Sequence, residues 1–140
     1  MVGDLLLDTG ALVSMLDRAQ RHHVACTRFF ESWAGSVLSS EAVLTEATHL
    51  LGEMPGGRRA CLDFFLAGGA VLAPATPASL RRARELIEQY ASLPMDYADA
   101  TLVVLAEEFE TDLVFTIDRR DFSAYRIRGR RPFRIVPDAA

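Results

Sequence analysis

Apolar positions come in short bursts along this chain, and the bursts are of two kinds. Residues 3–8 form a brief, nearly continuous apolar run that stops at Asp8-Thr9-Gly10, the pattern of a buried strand closed by a turn signal. Residues 10–18 then follow at helical spacing. A second helix is expected over His22–Trp33, with Val24, Phe29, Phe30 and Trp33 on its apolar side. "GSVLSS" reads as another short strand. Ser39 or Ser40 can cap the next helix, in which Val43, Leu44, Ala47, Leu50 and Leu51 recur at helical spacing until "MPGG" breaks it. Residues 58–67 are helical again, and "GGAVLAPA" is a strand between turn signals. An amphipathic helix from Thr76 or Ser79 to Tyr90 follows. After "LPMD", Asp96 opens a helix that is apolar nearly all round and therefore buried. "DLVFTID" is a strand, and "FRIVP" is the last. Strands separated by helices indicate an α/β fold with a mainly parallel sheet, in which functional groups gather beyond the carboxyl ends of the strands.

Composition narrows the picture without redirecting it. The chain has 140 residues, half of them hydrophobic and 24% charged. That size fits one domain and buries roughly 70% of the unfolded surface. A net charge of −4 does not mark a nucleic-acid binder. Yet all fifteen basic residues are arginine, the side chain that grips phosphates and carboxylates bidentately. Seven of the fifteen lie between Arg119 and Arg134. Cys26 and Cys61 match no zinc or redox spacing and read as reduced thiols of a cytoplasmic protein. No signal peptide and no membrane span are expected.

Four carboxylates stand in unusual places. Asp8 and Asp118 each end a strand. Glu46 borders the apolar face of its helix, and Asp99 lies in the first turn of the buried one. A parallel sheet brings Asp8 and Asp118 to one edge, with the helix starts close by. Gathered there, the four would repel one another unless their pKa values rose or a cation neutralised them. An all-oxygen acidic site suits Mg2+ or Mn2+, which activates water and stabilises phosphoryl charge. Each residue also has a plainer reading. Asp8 can cap the following helix. Asp96 can cap its helix with Asp99 as a return partner. Glu46 can face solvent, and Asp118 and Asp121 can belong to a charged turn around Arg119 and Arg120.

The motifs "LLLDTGAL", "SSEAVLTEATHLL", "LPMDYADATLVVLAEEF" and "LVFTIDRRDF" stand in an order that resembles a PIN-domain ribonuclease, specifically a toxin of the VapC type. The resemblance runs through nearly the whole chain, and the last two motifs are its most specific part. It implies a single PIN domain over residues 1–140, a three-layer fold with the sheet between helices. It implies an acidic site of Asp8, Glu46, Asp99 and Asp118, with Asp8 and Asp99 as principal metal ligands. Thr9, Thr116, Asp121 and Asp96 are expected to support those ligands. The implied activity is Mg2+- or Mn2+-dependent endonucleolytic cleavage of a structured RNA, such as a transfer, ribosomal or messenger RNA. Arg119 and Arg120 are candidates for the RNA backbone. The implied partners are a cognate antitoxin and a second copy of the chain.

Other chemistries fit less well. An aspartic protease would surround Asp-Thr-Gly with strands, whereas a helical pattern follows here. A di-iron carboxylate bundle needs two Glu-x-x-His pairs, and only Glu46 and His49 make one. The remaining alternative is a catalytically silent PIN-like module that binds RNA or protein.

Overall fold

The computed structural model describes residues 4–138; the expected strand start at Gly3 and both ends of the 1–140 domain lie outside it. The chain runs β1 (Leu5–Leu7), α1 (Thr9–Leu16), α2 (His23–Ser32), β2 (Val37–Ser39), α3 (Glu41–Leu50), a 3-10 turn (Leu51–Glu53) and α4 (Gly57–Leu66). It continues through β3 (Val71–Leu72), α5 (Pro77–Gln89), α6 (Tyr97–Glu108), β4 (Leu113–Phe115), α7 (Arg119–Ala124), β5 (Arg126–Ile127), β6 (Arg131–Pro132) and β7 (Arg134–Val136). Five strands form one sheet in the order β3-β2-β1-β4-β7, every neighbouring pair parallel. Helices flank this sheet to give three layers.

The centre of the sheet explains the leucine run. Leu5, Leu6 and Leu7 are all fully buried, since β1 is covered on both faces and cannot alternate. From β1 the chain builds outward through β2 and β3, then returns to lay β4 and β7 on the other side. The strand order therefore reverses between β1 and β4. The region beyond the carboxyl ends of the strands at such a reversal is the usual place for a site in an open parallel sheet. Asp8 and Asp118 follow those two strands.

Helix α6 buries Ala98, Ala100 and the run Leu102–Ala106, as its all-round apolar pattern requires. Its start is fixed by Asp96, whose Oδ1 accepts the Asp99 amide at 2.8 Å. Ser40 caps α3 through the Val43 amide, and Thr76 shares a reciprocal capping pair with Ser79 at the head of α5. Phe29 and Phe30 pack on Phe115, with Trp33 stacked on Phe29, so these aromatics cover the core. Val24, expected on the same apolar side, is exposed.

The pattern of apolar positions missed two elements. Helix α7 has six residues and one fully buried side chain, Phe122, so it is too short to display a period. It is started by Asp118, whose Oδ1 accepts the Asp121 amide at 3.1 Å. The β5-β6 ribbon is antiparallel and two residues long on each side. Its reversal rests on Arg128 and Gly129, both left-handed (φ 53° and 73°). The Arg128 amide donates to Glu107 Oε2 at 2.7 Å, which holds a non-glycine residue in that conformation.

Candidate metal centre at the carboxyl edge of the sheet

Asp8 occupies the N-cap position of α1, yet its side chain makes no capping bond. Instead the Thr116 hydroxyl donates to Asp8 Oδ2 at 2.6 Å. The same hydroxyl oxygen accepts the Asp118 amide at 2.9 Å. Thr116 thus links the aspartates at the ends of β1 and β4. The Asp8 amide donates to Phe115 O and the Thr116 amide to Val136 O, both at 3.0 Å, so the sheet ladder itself holds this pair in place.

Asp99 takes a different support. Asp96 caps its amide, but Asp99 returns no capping bond; its Oδ2 accepts the Tyr125 hydroxyl at 2.7 Å. The Tyr125 ring is fully buried, with Tyr90 and Phe122 edge-on at 5.1 and 5.2 Å. The Tyr90 hydroxyl accepts the Arg126 amide at 2.9 Å, which closes the strut. The sequence pattern marks neither tyrosine as part of a site. Tyr125 lies between the short helix α7 and the ribbon, where no periodicity points to it.

The carboxyl groups feel one another's charge. Burial pushes the Asp8 carboxyl from 3.8 to about 6; the charges of Asp118 and Glu46 add to the rise, and the Thr116 hydrogen bond opposes it. Burial likewise moves Asp99 from 3.8 to about 8, against the Tyr125 bond and with help from Asp8, Asp96 and Asp118. The Tyr125 hydroxyl is raised by burial first and by the Asp99 carboxylate next. Asp121 is raised by burial and by Asp118 beside it.

The ion pairs among the described residues join Arg59 to Asp63, Arg82 to Glu85 and Glu107, and Arg131 and Arg134 to Asp112. Asp8, Glu46, Asp99 and Asp118 have none. Thr9 Oγ1 is buried beside Asp8 without a hydrogen-bond partner. A hard divalent cation fits such a donor set: oxygens only, negative in excess, one ligand braced by a hydroxyl on either side of the site. Among the described residues no three acidic, His or Cys side chains are drawn into a ready coordination shell. Mg2+ retains several waters and is commonly held by one or two carboxylates instead of a full protein cage.

The family model for the PIN domain matches residues 5–127. This chain belongs to the PIN-domain family. It is 31% identical over 135 residues to ribonuclease VapC26 of Mycobacterium tuberculosis, an alignment covering 95% of this chain and 100% of that relative. Two solved structures share the fold. One is M. tuberculosis VapC20, described as a sarcin-ricin loop cleaving toxin, with a TM-score of 0.72, 18% identity, and coverage of 83% of this chain and 91% of that one. The other is VapBC2 of Rickettsia felis bound to a DNA fragment from its promoter, with a TM-score of 0.61, 14% identity, and coverage of 96% and 99%.

The arginine-rich segment of this PIN domain is divided. Arg119 and Arg120 begin α7, on the carboxyl edge with the acidic residues. Arg131 and Arg134 bind Asp112, which precedes β4 and so lies at the opposite edge. Arg128 is tied to the end of α6 through Glu107. The clustering in sequence is therefore not a cluster in space.

Proposed function

We propose that this chain is a Mg2+- or Mn2+-dependent endoribonuclease and the toxin of a toxin–antitoxin pair, acting in the cytoplasm as a single PIN domain over residues 1–140. What supports the reading is that burial raises the pKa values of the Asp8 and Asp99 carboxyl groups, that the charges of Glu46 and Asp118 act on Asp8, and that none of the four has an ion-pair partner among the described residues. Support comes also from the ribonuclease and toxin relatives. No helix among the described residues is long and apolar enough to cross a membrane.

In this reading Asp8 and Asp99 hold the metal, and Glu46 and Asp118 complete the negative pocket. A bound divalent ion supplies an activated water and stabilises charge on the phosphoryl oxygens. Thr116 holds Asp8 through its hydroxyl and fixes the Asp118 backbone through the same oxygen. Tyr125 orients Asp99. Asp96 fixes the helix start that carries Asp99, Asp121 gives its amide to the Asp118 carboxylate, and Thr9 has a buried hydroxyl with no partner among the described residues. The substrate is a structured RNA cut in an unpaired region, where bases are splayed and the backbone is accessible. A cognate antitoxin masks the acidic pocket with a basic side chain. The expected homodimer has apolar surface in Leu62 and Leu66, one turn apart and exposed on α4.

Cleavage tests the reading. Purified protein freed of any partner should cut RNA with Mg2+ or Mn2+ and not with EDTA. Asp99→Asn should remove cutting while the circular dichroism spectrum and urea midpoint show a folded protein. Intact RNA from a folded, metal-replete wild type across transfer, ribosomal and messenger RNA would leave the silent binding module as the better account.

A further inference from the structure

A polyanion that reaches an acidic pocket needs a positive approach, and the surface around the pocket is asymmetric. One opening lies between α3, α6 and the β3-α5 connection. Its charged lining residues are Glu41 and Glu108, so it repels phosphates. The other is a cleft of about 240 Å³ beyond the ends of β4 and β7, lined by Arg21, His22, Thr116, Ile117 and Arg119, with Asp138 as its one acidic residue. Thr116 is the residue whose hydroxyl binds Asp8, so this cleft lies against the strand end that carries the partner of Asp8.

The side chains of Arg21 and His22 enter no hydrogen bond or ion pair among the described residues. Arg119 gives one N–H to Pro137 O at 2.9 Å and keeps its other donors. Other arginines are tied to the fold, Arg82 to Glu107, and Arg131 and Arg134 to Asp112. Two uncommitted guanidinium groups and an imidazole facing one cleft match the bidentate geometry of a phosphodiester. We infer that Arg21 and Arg119, with His22, bind the RNA phosphate next to the one being cut, and so set the direction in which the strand crosses the site. The inference rests on the ribonuclease reading and adds the path of the substrate. Arg21 comes from the connection between α1 and α2, outside every acidic motif.

The test is binding of a short fluorescein-labelled single-stranded RNA of mixed sequence, followed by anisotropy in EDTA so that nothing is cut. Each phosphate contact to a single strand contributes a slope of about −0.7 in log affinity against log salt. Arg21→Ala and Arg119→Ala should each make the slope shallower by about 0.7, and the double variant by about 1.4. Between 50 and 200 mM salt, wild type should then lose about 2.5-fold more affinity than either single variant. Arg119→Lys keeps the charge and should keep the slope, which separates phosphate binding from loss of the Pro137 contact. Arg130→Ala should behave as wild type. Urea midpoints establish that each variant is folded. A wild type that binds and cuts RNA, with a slope indifferent to Arg21 and Arg119, overturns the inference and leaves the ribonuclease reading standing. A wild type that neither binds nor cuts RNA overturns both.

Discussion

Loading the site with metal should expel protons, and the number can be worked from the carboxyl groups that face it. Burial places Asp99 near 8 and Asp8 near 6. At pH 7 a group titrating at 8 is about nine-tenths protonated, and one at 6 about one-tenth. A metal ligand must be deprotonated, so binding displaces these protons. The total is about one proton per chain at pH 7, about 1.5 at pH 6 and about 0.1 at pH 9. The assay is isothermal titration of Mn2+ into metal-free protein in phosphate, imidazole and Tris. The observed enthalpy plotted against the ionisation enthalpy of the buffer has a negative slope whose magnitude is the number of protons released. Asp99→Asn should cut that magnitude at pH 7 from about one to about 0.1, because only Asp8 then contributes. A slope near zero for wild type at pH 7, with Mn2+ binding evident, would refute the assignment of Asp99 as a buried, protonated ligand.

The same shifts make two further outcomes measurable, one through stability and one through packing. Asp8 has its pKa raised in the folded chain, so the folded state holds the proton more tightly; the stability this confers is full below about pH 4 and is lost as pH rises through about 6. The move from 3.8 to about 6 corresponds to about 3 kcal/mol, so in EDTA Asp8→Asn should gain about that much over wild type in urea unfolding between pH 4 and pH 7, and an unchanged difference would falsify the burial account. At Gly10 an added Cβ would stand 2.7 Å from Ile117 Cγ1, so Gly10→Ala must shift the Ile117 side chain, which lies between Thr116 and Asp118 in the chain. Overpacking predicts a loss of about 1–2 kcal/mol and a drop in kcat, both relieved in Gly10→Ala/Ile117→Ala; additive effects in that double-mutant cycle would sink the explanation.

Much of the fold was legible because burial leaves a period. The strand β1 declared itself through three leucines that no amphipathic surface element would carry, and α6 through an apolar surface all round. The caps Ser40, Thr76 and Asp96 were legible because a short oxygen-bearing side chain before a periodic run has one efficient use. What failed to show was held by tertiary contact alone. Helix α7 is stabilised by the Asp118 cap and the burial of Phe122, and the β5-β6 ribbon by Glu107 reaching back to Arg128. Their windows are shorter than the periods a sequence can display. The reading of Asp99 as the return partner of a capping box was local chemistry overridden by a distant group, since Tyr125 takes the carboxylate that the cap would have used.

The motif Asp8-Thr9-Gly10 shows how local chemistry and sheet order combine. A cap would have satisfied Asp8 within its own helix and left nothing for catalysis. Here the fold withholds that bond and turns the carboxylate to Thr116 on the neighbouring strand. The turn depends on the strands being parallel and adjacent, which brings the residue after Leu7 beside the one after Phe115. It depends equally on Gly10, because Ile117 lies where a side chain on that residue would stand. The glycine therefore serves close approach and not an unusual backbone angle. A sequence shows only that Asp, Thr and Gly follow one another. The sheet order separates what they do. Asp8 takes the Thr116 hydroxyl, Thr9 has a buried hydroxyl with no partner among the described residues, and Gly10 leaves the room that the Ile117 side chain fills.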